Sequence, residues 1–320
     1  MQKTHCRLCG ADDAEFLRLT HDLALEDDET FPLVRCRHCG LMYLQIRPSP
    51  AEMGRYYPPE YHRRYRPAVK DEPFFLMRWI RQLKFRRRKQ TLEEVSTQVP
   101  GRILDVGCST GAFLDSMREC GWETYGVETS SYAVNYARKQ LGLEVFEGRL
   151  TDAQLPTGHF DVVTLWDVLE HTFDPLAVLY EVNRLLVDDG IVALTVPNWK
   201  SWDRRLFGHA WIGYDPPRHL YVFTQPVLQS LFEKAGFRIL RTWCGFGGYF
   251  TFTASVRLWL KSHLELPWLR RMITKVLDFP GMRFPFEPFF FLSDRAGRGG
   301  TLVILARKFR GVYEEYGGKA

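Results

Sequence analysis

The sequence predicts an α/β protein built on a mostly parallel β-sheet with helices on both faces. From residue 101 onward, short apolar runs alternate with longer segments whose apolar residues repeat at helical spacing. The first apolar run, residues 102–106, leads into a glycine-containing turn that opens a helix near residue 112. Because helices connect the parallel strands of such folds, we expect ligands to bind where the strands end.

The chain divides into three segments in this interpretation. Residues 1–46 form a small cysteine-bearing module, residues 47–72 form a linker rich in proline and tyrosine, and residues 73–310 form the α/β domain. A basic amphipathic helix is predicted over residues 73–95, and a helical, aromatic insertion over about 245–299. The predicted strands cover residues 102–106, 123–127, 160–166, 191–196, 237–243 and 301–306. The predicted connecting helices cover residues 111–120, 130–141 and 174–187.

Composition excludes several classes of protein. The 320 residues are 45% apolar and 25% charged, as in globular proteins and unlike disordered or fibrous ones. No window approaches the roughly 18 apolar residues of a membrane span, and no signal-peptide pattern precedes the first motif, so we expect a soluble cytoplasmic protein. The net charge of +5 is segregated: residues 11–30 are strongly acidic and residues 61–90 strongly basic. Nucleic-acid binding therefore does not follow from net charge alone.

Two Cys-x-x-Cys-Gly motifs predict a zinc ribbon near the N-terminus. They supply Cys6 and Cys9, then Cys36 and Cys39. Each pair can place two thiolates on one tight turn, and four thiolates close a tetrahedral zinc site without an open position. Such a site is structural, because it stabilises a module too small to fold on its own core. The alternative is four unrelated thiols.

The turn after the first strand of the α/β domain is the candidate cofactor loop. Asp105 ends this strand, and Gly107 and Gly111 allow the backbone to approach a ligand closely. A dinucleotide-binding loop also places glycines here. However, Asp105 disfavours a pyrophosphate and suits a ligand with an ammonium group and a sulfonium centre. Glu128, at the end of the second strand, can accept hydrogen bonds from both hydroxyls of a ribose.

These motifs resemble those of the class I S-adenosylmethionine-dependent methyltransferases. The resemblance covers residues 99–243 and a final strand near 300–307, and it depends on DVGCSTG (105–111), GVETS (126–130) and FDVVTLWDVLEH (160–171). Together with the later sequence Pro-Arg-His-Leu (217–220), the third motif is most similar to the group that contains the ubiquinone-pathway O-methyltransferases. The resemblance implies a doubly wound, mostly parallel seven-stranded Rossmann-like sheet and S-adenosylmethionine as cofactor.

The same resemblance implies a set of cofactor-binding residues. Asp105 and the two loop glycines would surround the methionyl part, Glu128 would bind the ribose, and Arg149 and Leu150 would flank the adenine. Ser109 and Arg149 replace a glycine and an acid that are usual in the group. The residues implied for the cofactor site are Asp105, Gly107, Cys108, Ser109, Gly111, Glu128, Thr129, Arg149, Leu150 and Asp167.

The candidate catalytic residues are Asp167, Glu170, His171 and His219, which follow the predicted strands at residues 160–166 and 191–196. An imidazole is a suitable general base for a hydroxyl group or an acidic carbon. Alternatively, these acids and imidazoles hold a divalent ion, since the cluster resembles that of metal-dependent RNA 3′-end 2′-O-methyltransferases. A third interpretation is that Glu170 and His171 only orient the loop before the next helix.

The partners remain open at this stage. The aromatic insertion could cover an apolar acceptor, contact a membrane surface, or pack on the sheet or a second subunit. The basic helix over residues 78–89 could be solvated, or could bind an anionic lipid, a phosphate-bearing substrate or RNA. We expect methyl transfer to oxygen, in preference to carbon, of a small-molecule or lipid-linked acceptor. The alternatives are an RNA methyltransferase that uses the ribbon and basic helix, and a non-catalytic zinc-ribbon scaffold.

Overall fold

The computed structural model describes residues 1–25, 29–57, 72, 74–96 and 99–309. The strands in these ranges are β1 (Gln2–Lys3), β2 (Ala14–His21), β3 (Thr30–Cys36), β4 (Met42–Leu44), β5 (Ile46–Arg47), β6 (Arg102–Val106), β7 (Glu123–Glu128), β8 (Glu144–Glu147), β9 (Phe160–Trp166), β10 (Leu186–Pro197), β11 (Tyr221–Val222), β12 (Phe237–Cys244) and β13 (Thr301–Lys308). The α-helices are α1 (Phe75–Glu93), α2 (Ala112–Arg118), α3 (Ser131–Leu141), α4 (Pro175–Leu185), α5 (Trp202–Phe207), α6 (Gln225–Lys234), α7 (Gly248–His263), α8 (Pro267–Asp278) and α9 (Glu287–Arg295).

The α/β domain is built on a seven-stranded sheet in the order β12-β13-β10-β9-β6-β7-β8. All neighbouring pairs are parallel except the two that involve β13, which runs antiparallel to β10 and β12. The chain reverses its direction of travel across the sheet between β6 and β9. The doubly wound, mostly parallel seven-stranded sheet predicted from the sequence is therefore confirmed.

Most predicted strands match the observed ones within one or two residues, and two differences have local causes. β8 was missed because its sequence, Glu-Val-Phe-Glu, is short and carries charges at both ends. β10 begins at Leu186 rather than at Ile191, since it includes the polar segment 188–190 with a register shift against β9. The charged residues of this segment do not fit an apolar strand pattern, so the sequence did not predict the segment as part of the strand.

The N-terminal module is an antiparallel sheet that includes a strand from the α/β domain. Its strand order is β11-β4-β3-β2, so that β11 pairs with β4 although they are far apart in sequence. Buried side chains of the module, such as Phe31 and Leu41, belong to the same hydrophobic cluster as residues of the α/β domain. The module and the domain therefore share one core, and the division at residue 46 stays a prediction.

The predicted linker lies partly outside the described residues. Residues 58–71 belong to that undescribed part, whereas Met53–Tyr56 forms one 3-10 turn instead of the irregular structure expected there. The following helix α1 occupies most of the predicted range 73–95. Within the described residues, no helix has the length and apolar character needed to cross a bilayer.

The insertion between β12 and β13 consists of α7, α8, a 3-10 segment (Pro280–Phe286) and α9. Phe252 lies at the centre of an aromatic cluster, with its ring centroid 5.5 Å from that of Phe286 and 5.8 Å from that of Phe290. β12 is parallel to β10 because both are antiparallel to β13. The insertion therefore begins at the edge of the sheet where the parallel strands have their carboxyl ends.

Candidate active site

The candidate cofactor residues lie at the carboxyl ends of β6, β7 and β9, around the point where the strand order reverses. Asp105 is in β6, Glu128 ends β7, and Asp167 follows β9. Ligands of doubly wound sheets bind in the crevice at this point. The structure thus brings these three carboxyl groups to one edge of the sheet.

The loop after β6 has a backbone that glycine favours. Gly107 and Gly111 have φ angles of +69° and +78°, and Ser109 between them has a φ of +53°. A side chain at Gly107 would come within 2.6 Å of Val168, so this position has no room for a Cβ atom. Ser109 thus adopts the left-handed conformation without being glycine, which explains why a glycine is usual at its position.

Asp105 is a buried acid with one hydrogen bond. Its Oδ1 accepts a hydrogen bond of 2.6 Å from the Thr164 hydroxyl on β9. Burial raises the pKa of the Asp105 carboxyl to about 7, and Thr164 and the positive charge of Arg88 offset this only in part. A cationic ligand nearby would favour the ionised form of Asp105.

Glu128 supports the cofactor loop directly. Its two carboxylate oxygens accept hydrogen bonds from the backbone N–H groups of Ser109, at 2.9 Å, and Ser130, at 2.8 Å. Thr129 is exposed, and its hydroxyl lies 3.4 Å from the same carboxylate. Glu128 therefore positions the loop.

Arg88 on helix α1 is a site residue that the sequence analysis missed. It is buried, its guanidinium lies 4.2 Å from the centroid of the Trp166 ring, and its Nε atom has no hydrogen-bond partner within the described part of the chain. Burial lowers the pKa of Arg88 to about 10, while Asp167 and Asp105 favour its charged form. Arg88 lies on the same helical face as Phe85 and Leu92. This spacing was the feature of the sequence that could have predicted its burial.

The remaining cofactor candidates differ in what their side chains can reach. The Cys108 thiol points into the core, because a Cβ atom on Gly126 would lie 2.7 Å from its sulfur, so only its backbone could contact a ligand. Arg149 is exposed and its guanidinium lies 5.5 Å from the centroid of the Phe173 ring. Leu150 is buried in the core.

Asp167 is held at the sheet edge by β10. Its backbone has a φ of +60°, and its Oδ1 accepts a hydrogen bond of 2.8 Å from the Thr195 hydroxyl. The same hydroxyl oxygen accepts a hydrogen bond from the Asp167 backbone N–H at 2.9 Å. This double contact with Thr195 fixes the position of the exposed Asp167 side chain beside β10.

Glu170, His171 and His219 form a compact cluster beside the cofactor edge. One potential ligand atom from each residue lies within 4.8 Å of the others, and the two imidazole centroids are 4.6 Å apart. The buried Oε2 atom of Glu170 has no hydrogen-bond partner in the described residues. Burial and the nearby Asp167 raise the pKa of Glu170 well above its usual value. The structure thus brings together three of the four predicted catalytic residues.

Hydrogen bonds to the backbone set the orientation of both imidazoles. His171 Nδ1 lies 3.0 Å from the carbonyl oxygen of Arg218, and His219 Nδ1 lies 3.1 Å from that of Gly213. Because a carbonyl oxygen only accepts, each Nδ1 atom donates and each Nε2 atom of the neutral ring keeps a lone pair. Burial, and then the neighbouring His219, lower the pKa of His171 to about 3, and burial also lowers that of His219.

A buried ion-pair network connects this cluster to the N-terminal module. The Arg218 guanidinium donates to both carboxylate oxygens of Asp22, at 2.7 and 2.8 Å, and to both of Asp215, at 2.9 and 2.7 Å. Arg218 is fully buried, and its carbonyl oxygen is the one that orients His171. Asp22 of the module therefore acts on the segment that carries His219.

The four predicted zinc ligands form a second cluster. The sulfur atoms of Cys6 and Cys39 are 3.3 Å apart, and those of Cys9 and Cys36 are 3.5 Å apart. All four sulfurs lie within 4.8 Å of one another, and no cysteine in the described residues forms a disulfide. Burial raises the pKa of the Cys6 thiol to about 11, so a bound cation would be needed to keep the Cys6 sulfur ionised. The geometry is compatible with zinc.

Comparisons with known proteins agree with this geometry. Residues 77–242 match a family described as "Methyltransferase domain", which is just over half of the chain. The chain belongs to this methyltransferase family. The match contains β6 to β10, the cofactor loop and the Glu170–His171–His219 cluster, whereas the ribbon and the insertion lie outside it.

Curated relatives of the methyltransferase domain include two enzymes named for ubiquinone biosynthesis. The Ubiquinone biosynthesis O-methyltransferase of Ruegeria sp. (strain TM1040) is 29% identical over 155 residues, which are 42% of this chain and 63% of the relative. The mitochondrial enzyme of that name from Schizosaccharomyces pombe is 35% identical over 102 residues, which are 29% of this chain and 37% of the relative. The chain thus spans less than two thirds of the length of either relative.

A solved structure resembles the same domain. It is described provisionally as a sarcosine dimethylglycine methyltransferase from Galdieria sulphuraria, and it aligns with a TM-score of 0.51 at 16% sequence identity. The alignment covers 75% of this chain and 90% of that one. At this level of identity the likeness supports the fold of the methyltransferase domain and nothing more specific.

Proposed function

We propose that this protein transfers the methyl group of S-adenosylmethionine to an oxygen atom of a small-molecule acceptor. The observation that carries the proposal is the meeting of two groups of residues at one sheet edge. One group is the cofactor loop with Asp105 and Glu128, and the other is the Glu170–His171–His219 cluster. Oxygen is the favoured acceptor atom because the curated relatives are named O-methyltransferases. Carbon is the alternative.

The cofactor edge suits a ligand that carries both signs of charge. Asp105 would attract the ammonium group of the methionyl part, Arg88 its carboxylate, and Glu128 the ribose hydroxyls, while Arg149 and Leu150 would border the adenine. Arg88 and Asp105 are both buried with few partners, so each is stabilised when a ligand of opposite charge binds. The bound cofactor would supply a methyl group on a sulfonium, which is a good leaving group. The protein must then align the acceptor with that methyl group and exclude water.

The pKa and the hydrogen bonding of the two imidazoles favour some of their possible roles over others. A pKa near 3 makes His171 a weak general base at neutral pH, because general bases work best with a pKa close to the working pH. Both rings still offer an Nε2 lone pair to a donor or a cation. We therefore favour acceptor orientation or cation binding over proton abstraction by a free imidazole, and a purely structural role remains the third interpretation.

A divalent cation is the second component that we propose for this site. Glu170, His171 and His219 would hold it, and the buried, unpartnered Oε2 atom of Glu170 is the observation that favours it. Imidazole and carboxylate ligands suit zinc, manganese and iron(II), and the Nδ1–H groups bonded to carbonyl oxygens are the usual support of metal-binding histidines. Such a cation would bind the acceptor oxygen and lower its pKa.

The four-cysteine cluster would hold a structural zinc ion. Four sulfur ligands leave no open position, so we assign it no part in the chemistry. For the acceptor, a small or lipid-linked molecule remains our proposal. An RNA substrate is less well supported, since Arg88 of the basic helix is buried and cannot contact RNA on the surface.

The first experiment tests the cofactor. Isothermal titration of the purified protein with S-adenosylmethionine and with NAD should give binding of S-adenosylmethionine alone. Arg88→Met should weaken that binding by roughly 10- to 100-fold, since a charged hydrogen bond contributes about 1.5–3 kcal/mol. Arg87→Met, at an exposed position one residue away, should leave it unchanged. Binding of NAD, or an unchanged affinity in Arg88→Met, would contradict these assignments.

The second experiment tests the acceptor and the role of the Glu170–His171–His219 cluster. The protein is incubated with trideuteromethyl-labelled S-adenosylmethionine and either a small-molecule extract or total RNA, and labelled products are sought by mass spectrometry. His219→Ala should retain cofactor affinity and lose turnover, and Mn²⁺ binding should be lost in the same variant. Label found only in RNA, or no label despite cofactor binding, would favour the RNA methyltransferase or the scaffold instead.

A further inference from the structure

Helix α8 of the insertion carries an apolar stripe on its outward face. Trp268, Met272 and Val276 follow one another at intervals of four residues, and their side chains are 63%, 51% and 49% exposed. Phe279, just after the helix, continues the stripe with 65% exposure. Contiguous exposed apolar side chains of this kind mark an interaction surface. No residue of α8 is fully buried.

A neighbouring face of α8, about 100° around the helix from the stripe, attaches it to the protein. Leu269, Ile273 and Leu277 each follow a residue of the stripe by one position and are partly buried. The Tyr249 hydroxyl on α7 donates a hydrogen bond of 2.6 Å to the Leu277 carbonyl oxygen, and Arg257 on α7 forms an ion pair with Asp278. The helix is therefore held to α7, and its outward stripe is not needed for this attachment.

The charges beside the stripe are positive. Arg271 and Lys275 are exposed and lie one helical position before Met272 and Val276, along one border of the stripe. Asp278 is the acidic residue within α8, and it is already paired with Arg257. A helix with an apolar stripe, a tryptophan near one end and a basic border is typical of helices that lie in the interface of an anionic bilayer.

A second copy of the chain fits this surface less well. In a symmetric contact, the stripe of one copy would face the same stripe of the other. Arg271 and Lys275 of both copies would then meet near the contact, where α8 has no unpaired acidic side chain to neutralise them. Phosphate headgroups supply that negative charge at a membrane surface.

We propose that the outward face of α8 binds the surface of an anionic lipid bilayer. The surface lies outside residues 77–242, which match the methyltransferase family, and it does not depend on the proposed methyl transfer. The insertion starts at the sheet edge that bears the cofactor residues. Phe246 at its start lies with its ring centroid 6.0 Å from that of Trp166, the ring that Arg88 covers. Binding through α8 would therefore bring the membrane close to the candidate active site.

Vesicle sedimentation tests the proposal with the full-length protein. Vesicles of phosphatidylcholine alone are compared with vesicles that also contain phosphatidylglycerol, and binding is expected to the mixed vesicles and to weaken with added salt. Arg271→Gln/Lys275→Gln should lower the partition coefficient roughly 30-fold, because each cation near the surface contributes about 1 kcal/mol, which is roughly a fivefold factor. Trp268→Ser/Met272→Ser should lower it at least as much.

Controls separate lipid binding from loss of fold. Phe16→Ser removes an apolar side chain of similar exposure from the N-terminal module and should leave vesicle binding unchanged. Circular dichroism and S-adenosylmethionine binding should be the same in all variants. If the protein binds neither vesicle, or if the α8 variants bind as well as the parent, the proposal is wrong. It is equally wrong if the protein is a dimer that Trp268→Ser dissociates, since the stripe then covers a second copy.

Discussion

The methyltransferase domain has two attachments that differ in chemistry. The N-terminal ribbon joins it through paired strands and the buried Asp22–Arg218–Asp215 network, in which each charge has a partner. The helical insertion instead leaves an apolar stripe on α8 without a partner in the described residues. The charged groups that attach the ribbon have their partners within the chain, and this attachment reaches the His171–His219 pair. The insertion instead presents an apolar surface that suits another partner.

This difference indicates how the ribbon contributes to the site. Three hydrogen bonds connect its sheet to the cluster in sequence: Leu44 N–H to the Leu220 carbonyl, Leu220 N–H to the Glu170 carbonyl, and His171 to the Arg218 carbonyl. The ribbon is thus a structural support of the candidate active site. Variants that damage the ribbon should therefore also affect the site.

The largest effect is expected from the four-cysteine cluster. Cys36→Ser should remove the proposed zinc ion and lower the free energy of unfolding by several kcal/mol, because metal binding contributes directly to folding. Differential scanning fluorimetry with and without a chelator, together with metal analysis, measures this. Cys120→Ser, at an exposed cysteine outside the cluster, is the control. A metal-free parent protein whose melting temperature is insensitive to chelators would contradict the prediction.

A smaller but still large effect on stability is expected at the buried Asp22–Arg218–Asp215 network, which connects the ribbon to the methyltransferase domain. Arg218→Met leaves the carboxylates of Asp22 and Asp215 buried without their cation, which should destabilise the protein by about 3–5 kcal/mol. Urea denaturation measures the loss. Arg37→Met breaks an exposed ion pair with Asp13 in the same module and should change stability by no more than about 1 kcal/mol. Equal losses of stability in the two variants would mean that the contact between the ribbon and the methyltransferase domain does not depend on Arg218.

The smallest effect is a pH dependence that distinguishes two buried acids. Burial alone would raise the pKa of Asp215, but Arg218 outweighs it and lowers the value to about 2, so this stability is present above pH 4 and lost as pH falls through about 2. The contribution of Asp105 to stability changes with pH in the opposite direction. Its pKa of about 7 means that the folded state favours its protonated form, so stability falls as pH rises from about 4 to about 7.

The Asp105 contribution can be isolated by substitution. Without cofactor, Asp105→Asn should gain roughly 1 kcal/mol relative to the parent protein between pH 6 and pH 7, because the parent loses up to about 1.4 kcal/mol per pH unit there. Denaturation in urea at both pH values measures the difference. Asp189→Asn, at an exposed position in β10, should show no such gain. A constant difference between Asp105→Asn and the parent would show that the carboxyl does not titrate in this range.

Local sequence patterns were sufficient for most strands of the sheet and for the glycine-containing loop after β6, but not for the short strand β8. The strands β6 and β9 have the bounds that were predicted, because their apolar runs end in turn residues and need no distant information. Arg88 was missed for the opposite reason. A run of three arginines resembles a solvated surface, and only the packing of α1 against Trp166 buries one of them.

The sequence by itself determined the class of fold, the bounds of most strands of the sheet, the glycine-containing loop after β6 and the paired cysteines. Each of these depends on residues that are close together along the chain, where periodicity and turn chemistry act. Only the tertiary structure decided that Asp22 supports Arg218 across 196 residues, that Glu170 lies beside both imidazoles, and that α8 presents an apolar stripe outward. Contacts of this kind depend on how the elements pack, which no local spacing specifies.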